Sequence, residues 1–327
     1  MTTKNQTKAI TFTQAVHDGI DEEMRRDQKV FILGEDIQRG LYGISAGLYE
    51  KFGAERVIDT PLSENGFFGA AVGAAAVGQR PIVEILSSFC WVAMDQLISQ
   101  AAKMRYMFGG QVNLPLTFRI AEYYNGSLAA HHSDRPHAMF LNMPGFKVVF
   151  PSNPIDAKGL VKTAIRSEDP VIFWEDRTLL GMRQEVPEEE YLIPLGVSEV
   201  KREGTDVTVV AIGGMVNIAL KAAETLAAEG VSVEVIDPRS LVPLDKRSIL
   251  SSVSKTGRFI AVDMGHRMCS FASELCAMVA EQAFWDLQAP VQRVASMNVH
   301  IPFSPALEPL VYPNEEKIIA AVKRTLA

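Results

Sequence analysis

Short apolar runs alternate with amphipathic helical patterns along this chain, and that alternation limits the fold more than any other feature. Residues 29–34, 80–86, 116–120, 146–151 and 171–175 read as strands. Residues 12–26 read as a helix capped by Thr11 or Thr13, and residues 94–106 as a helix with Leu97, Ile98, Ala101 and Met104 at three-to-four spacing. Ser152-Asn153-Pro154 opens a helix to about Arg166. Strand–helix alternation implies an α/β fold with a mostly parallel sheet covered on both faces.

At residues 183–194 the pattern dissolves into RQEVPEEEYLIP, whose charge run and two prolines read as a linker. The alternation then restarts. Residues 208–212, 231–236 and 259–263 read as strands, and 216–229 and 271–287 as helices. The expectation is two domains, 1–185 and a smaller 186–327. A chain of 327 residues with 47% hydrophobic side chains has ample core for both.

Composition excludes several functions. The net charge is −7 and no basic block occurs, which argues against nucleic acid as a partner. Cys90, Cys269 and Cys276 are too few and too scattered for a disulfide framework or a zinc site. The segment MTTKNQTKAITF has neither a signal core nor an Arg-rich transit pattern, and no apolar run is long enough to span a bilayer. The expectation is a cytoplasmic protein without membrane contact.

Three familiar chemistries find no motif. No G-x-G-x-x-G follows a strand, no G-x-x-x-x-G-K-[ST] phosphate loop occurs, and there is no G-x-S-x-G nucleophile elbow. His131, His132 and Asp134 lack a second cluster at ligand spacing, so no metal site is expected on this chain. What stands out is Glu64. It follows Asp59-Thr60-Pro61-Leu62-Ser63 and opens an otherwise apolar, small-residue segment ending at Gly78. A carboxylate there can complement a helix dipole, or it can hydrogen-bond a ring nitrogen of a bound heterocycle.

Collinear segments along the whole chain resemble one family. They include Gly34-Glu35-Asp36, Asp59-Thr60-Pro61-Leu62-Ser63-Glu64, Gln100-Ala101-Ala102-Lys103, Pro144-Gly145-Phe146-Lys147-Val148-Val149, Asp156-Ala157-Lys158-Gly159-Leu160, Val235-Ile236-Asp237-Pro238-Arg239 and His300-Ile301-Pro302-Phe303-Ser304. The chain is similar to β subunits of the thiamine-diphosphate-dependent E1 component of 2-oxo acid dehydrogenase complexes, most of all to the acetoin dehydrogenase type. The resemblance implies a pyrimidine-binding domain followed by the C-terminal domain of transketolase-like enzymes.

It also implies roles. Glu64 matches the glutamate that bonds the pyrimidine N1′ of thiamine diphosphate. Phe89 matches the aromatic residue that packs on that ring, with Leu62 and Leu86 in the cofactor pocket. His132-Ser133 matches the start of a His-Ser-Gln motif whose histidine serves in proton transfer or lipoyl acylation. Histidine suits that work because imidazole ordinarily titrates near neutrality.

The family's Gly-Asp-Gly motif for Mg²⁺ is missing here. In the family it belongs to a separate α subunit. The resemblance therefore implies an α₂β₂ heterotetramer whose α subunit holds the diphosphate and Mg²⁺, a lipoyl-bearing E2 acceptor, and room for a structural K⁺. The small-residue run Gly69–Ala76 suits close helix packing, either at such an interface or inside one domain.

Two departures concern the substrate. Asp134-Arg135 replaces the glutamine and the small residue after His-Ser, and Ser88 replaces a usual aspartate. Arg135 is accordingly a candidate for contact with an anionic or polar substrate group. The altered loop keeps an alternative open: a transketolase-like carboligase with an aldehyde acceptor and no E2. A third is a non-catalytic assembly subunit, against which the retained Glu64 counts.

Overall fold

A computed structural model describes residues 6–327. The first residues of the N-terminal segment weighed above lie outside the described ones. The chain forms two compact units. One comprises residues up to Tyr123 together with Phe140–Leu195, and the other comprises Tyr124–Met139 together with Gly196–Ala327. The segment 124–139 thus belongs to the second unit although its neighbours in sequence belong to the first.

In the first unit the strands lie in the order Lys147–Val149, Val171–Asp176, Thr117–Glu122, Arg80–Leu86, Val30–Gly34 and Val57–Asp59. Each pairs in parallel with its neighbour. Every residue of Val171–Asp176 is buried, as befits a strand covered on both faces. The helix Phe12–Arg26 covers one face. Thr11 caps it, its hydroxyl accepting from Gln14 N at 3.1 Å. Phe12, Val16, Ile20 and Met24, at i, i+4 spacing, are fully buried in that core. Each such side chain is worth roughly 1.5–3 kcal/mol of transfer free energy. The helix Pro154–Arg166 packs alongside, so close that a Cβ at Gly19 would stand 2.5 Å from Val161 Cγ1. Glu22 then pairs with Lys158 and Lys162, whose ammonium groups would otherwise be buried unpaired.

Residues 183–194 are more than a linker. Arg183–Pro187 is a strand, antiparallel to Thr7–Thr11. The helix expected at 94–106 is helical in two pieces, a wide π-type stretch Asp95–Ala101 and an α-helical turn Met104–Met107.

The second unit has a five-stranded sheet in the order Gln292–Ser296, Phe259–His266, Val207–Ala211, Val233–Asp237 and Glu199–Arg202. Only Glu199–Arg202 runs antiparallel to its neighbour. Met215–Ala227 and Glu315–Leu326 pack together over a core that includes Val209, Val235, Val262 and Val322. The helix from Phe271 ends at Gln282, and Phe284–Asp286 forms a separate short turn. No helix among the described residues is long and apolar enough to cross a membrane.

Candidate active site

Strand order locates the crevice of the first unit. From Val30–Gly34 the chain steps outward to the edge strand Val57–Asp59. It then crosses back to Arg80–Leu86 on the other side. Connections leaving Val30–Gly34 and Arg80–Leu86 therefore diverge at their C-terminal ends, where open parallel sheets bind ligands.

The side chains gathered on those connections are largely acidic. After Val30–Gly34 come Glu35 and Asp36. Gly34 lies so near the next strand that a Cβ there would be 2.7 Å from Glu84 O. After Val57–Asp59, the turn is fixed by Thr60 N donating to Gly34 O at 2.9 Å and by Gln38 N donating to Asp59 Oδ1 at 2.8 Å. Glu64 is the first residue of the helix Glu64–Ala76 and is half-buried. Leu62 is 82% exposed in this chain. After Arg80–Leu86 the short helix Ser87–Trp91 carries Phe89, which is half-buried, as is Leu86.

Glu35 lies close enough to Glu64 to join the candidate site, although no motif in the sequence marks it. Burial, then the charges of Glu64 and Asp36, push its carboxyl above the ordinary value of 4.5. Its Oε1 is buried without a hydrogen-bond partner among the described residues. The one available signal was a Gly-Glu-Asp triplet ending an apolar strand.

A second charged group underlies the same strands. Glu84 and Arg119 are paired in register, and Glu175 lies two residues beyond Phe173, the register partner of Arg119, so the three side chains meet as a row across three parallel strands. Arg119 Nε donates to Glu175 Oε1 at 2.5 Å and Nη2 to Oε2 at 2.8 Å, while Nη1 donates to Glu84. All three are buried. Burial opposes the charge on Arg119, yet the two carboxylates outweigh it. Burial raises the Glu84 carboxyl, Arg119 works against that rise, and Glu175 adds to it. Above the row, Tyr42 and Tyr123 meet edge-on at 6.2 Å and Arg177 stacks on Tyr123 at 4.4 Å.

His132 and Arg135 belong to the second unit, on the segment 124–139. Within that unit the segment is held at three points. Gly126 N and Ser127 N donate to the Glu308 carboxylate at 3.3 and 2.7 Å. Tyr124 meets Tyr312 edge-on at 5.3 Å. His137 Nε2 bonds Asp263 Oδ1 at 2.9 Å, both side chains being fully buried. His132 ends the short helix Ala130–His132 and is exposed, as is His131. Arg135 is buried, its guanidinium 4.5 Å over the ring of Tyr312. Among the described residues, no group of three or more His, Cys, Asp or Glu could hold a metal ion.

Comparison with known proteins identifies the family of both units. Residues 8–183 match the transketolase pyrimidine binding domain, and residues 196–318 match the transketolase C-terminal domain. The chain is 42% identical to the acetoin:2,6-dichlorophenolindophenol oxidoreductase subunit beta of Bacillus subtilis, over 98% of each chain. It is 44% identical to the mitochondrial pyruvate dehydrogenase E1 component subunit beta-1 of Arabidopsis thaliana, over 97% of this chain and 89% of that one. Among solved structures, one described as a split gene transketolase, inactive beta4 tetramer, superposes with a TM-score of 0.81 at 24% identity, over 97% of this chain and 98% of that one, which establishes likeness of fold. This chain belongs to the transketolase-like family that joins a pyrimidine-binding domain to a transketolase C-terminal domain, the family of dehydrogenase E1 β subunits.

Proposed function

We propose that this chain is the β subunit of a thiamine-diphosphate-dependent E1 enzyme. The complex cleaves a C–C bond next to a carbonyl, in acetoin or a 2-oxo acid such as pyruvate, and passes the acyl group to a lipoyl-bearing E2. The observation that carries this reading is Glu64 at the head of its helix, at the C-terminal side of a parallel sheet, with Glu35 close enough to feel its charge.

The residues present fit the cofactor's pyrimidine end. Glu64 offers a half-buried carboxylate, Phe89 a partly open aromatic face, and Leu62 and Leu86 apolar surface left uncovered in this chain alone. Thiamine diphosphate supplies, when bound, a carbon nucleophile able to attack a carbonyl. Glu64 shares a proton with the pyrimidine N1′ and holds it there at little cost, because a carboxylate–ring nitrogen bond suits either proton position. Phe89 orients the ring by stacking. His132, exposed on its short helix, exchanges protons with the substrate oxygen or with the lipoyl acceptor.

Diphosphate and Mg²⁺ fall to an α subunit in this reading, since the family's Gly-Asp-Gly motif is missing from this sequence. An α₂β₂ assembly is further supported by the exposed run Tyr106, Met107 and Phe108, which borders an apolar groove of about 920 Å³ near Ala102, Gly145 and Phe146.

The test is exchange of the thiazolium C2 hydrogen in the assembled αβ enzyme. Glu64→Gln should slow exchange ~10²–10⁴-fold, the span of one positioned acid–base group. Exchange at the wild-type rate in that variant contradicts the proposal.

A further inference from the structure

The sequence contains Asn-Gly twice, at Asn65-Gly66 and at Asn125-Gly126. In such a pair the main-chain nitrogen of the glycine can attack the side-chain amide before it, because no side chain stands in the way. The structure gives the two pairs different surroundings. Asn65-Gly66 lies in the first turn of the helix Glu64–Ala76, where Gly66 N donates to the main-chain Ser63 O at 2.8 Å. Asn125-Gly126 lies in a loop of the second unit, with both residues exposed and Asn125 at φ 52°. There Gly126 N donates to a side chain, the Glu308 carboxylate, at 3.3 Å. Glu308 is 1% exposed and is held in place: Oε2 accepts from Ser127 N at 2.7 Å and Oε1 from the Tyr312 hydroxyl at 2.9 Å. The nitrogen that must lose a proton to become a nucleophile thus already points that proton at a fixed carboxylate, the arrangement a general base requires.

We propose that Asn125-Gly126 is a self-modifying site, at which Glu308 promotes conversion of Asn125 to aspartate and isoaspartate. Gly126 N gives its proton to the Glu308 carboxylate and bonds to Asn125 Cγ. The bond from Cγ to the amide nitrogen breaks, and the leaving nitrogen takes the proton from Glu308 and departs as ammonia. Solvent water then opens the cyclic imide at either carbonyl. Opening at one gives aspartate; opening at the other gives isoaspartate, with the main chain running through the side-chain carbon. Nothing is oxidised or reduced, and Glu308 is regenerated. Either product sets a new carboxylate near that of Glu308, and like charges repel. The isoaspartate also lengthens the main chain by a methylene. Both changes weaken the bonds from Gly126 N and Ser127 N to Glu308, which anchor the segment bearing His132.

The experiment incubates the assembled αβ enzyme at neutral pH and follows both Asn-Gly pairs by mass spectrometry of digests, with isoaspartate scored by enzymatic methylation. Asn125 should convert while Asn65 stays intact. Glu308→Gln should slow conversion of Asn125 ~10²-fold, the lower end of what a positioned base contributes. A free peptide spanning residues 121–128 supplies a reference that depends on no variant folding. Its conversion rises steeply with hydroxide, whereas conversion in the enzyme should vary less with pH, because a side chain supplies the base. Asn125→Asp fixes one product in place and should lower the urea midpoint of the enzyme. An intact Asn125 overturns the proposal, as does conversion of Asn65 at the same rate. An unchanged or faster rate in Glu308→Gln overturns it, and so does the free peptide's pH dependence in the enzyme. A wild-type midpoint for Asn125→Asp overturns the weakening of the anchor.

Discussion

His137 Nε2 lies 2.9 Å from Asp263 Oδ1, and neither side chain is exposed at all. Asp263 also accepts from Gly265 N at 2.7 Å and Ala272 N at 3.2 Å. Gly265 leaves the ring room: a Cβ there would come 3.1 Å from His137 Cε1, a tight contact. One buried carboxylate thereby ties the segment bearing His132 and Arg135 to the strand Phe259–His266.

Removing one partner strands the other. His137→Leu should cost about 3–5 kcal/mol, since an uncompensated buried charge is left behind. Asp263→Asn should cost less, because the amide can still bond the imidazole. Urea midpoints in the assembled protein measure both.

Acid should act on the same pair. Burial pushes the Asp263 carboxyl up, but the His137 ring and the two backbone donors outweigh it and hold it below the ordinary 3.8. A depressed folded value means that folding favours the ionised form. Its stabilisation is present in full above the unfolded value and is lost as pH falls through the folded one. Wild type should therefore lose more stability than Asp263→Asn below about pH 4, and the two should run parallel above about pH 5. Denaturation curves at several acid pH values test this.

The row Glu84–Arg119–Glu175 makes a different prediction. Arg119→Met leaves two carboxylates facing each other in the sheet, and should destabilise by about 3–5 kcal/mol. Glu84→Gln should cost far less. Burial already raises the Glu84 carboxyl, and the amide keeps a partner for Arg119 without the repulsion from Glu175. Comparing melting temperatures ranks the two; a Glu84→Gln loss as large as that of Arg119→Met contradicts this account of the row.

The elements that position these groups were legible where period and cap agree. The helix Phe12–Arg26 with its Thr11 cap, the strand Arg80–Leu86 and an acidic first turn at Glu64 can all be read from the chain. Pairing between distant segments cannot. Thr7–Thr11 and Arg183–Pro187 are both polar, so neither shows the apolar signature of a strand, and residues 183–194 read as a linker. A wide turn at Asp95–Ala101 keeps an apolar spacing close to that of an α-helix, so periodicity does not separate them. The charge row did leave a trace: Glu84 and Arg119 each interrupt an apolar run and Glu175 ends one, and charges so placed call for partners on neighbouring strands. Burial of Arg135 and His137 left none, because it depends on how a loop rich in polar residues is folded back onto its own unit.

That loop carries one further testable property. Ala129 has φ 59° and ψ −168°, a combination essentially reserved for glycine, while Asn125 and Ser127 also have positive φ. Strain at such a residue is about 1–3 kcal/mol. Replacing alanine by glycine relieves it but makes the unfolded chain freer, at about 0.4–1 kcal/mol. Relief is the larger quantity across most of both ranges, so Ala129→Gly should stabilise the protein by about 1 kcal/mol. The same change anywhere in the helix Met215–Ala227, for instance Ala222→Gly, should destabilise it by about 0.5–1 kcal/mol or more. Opposite signs at the two positions, read from equilibrium unfolding, are what stored backbone strain at Ala129 requires, and equal losses at both are what its absence requires.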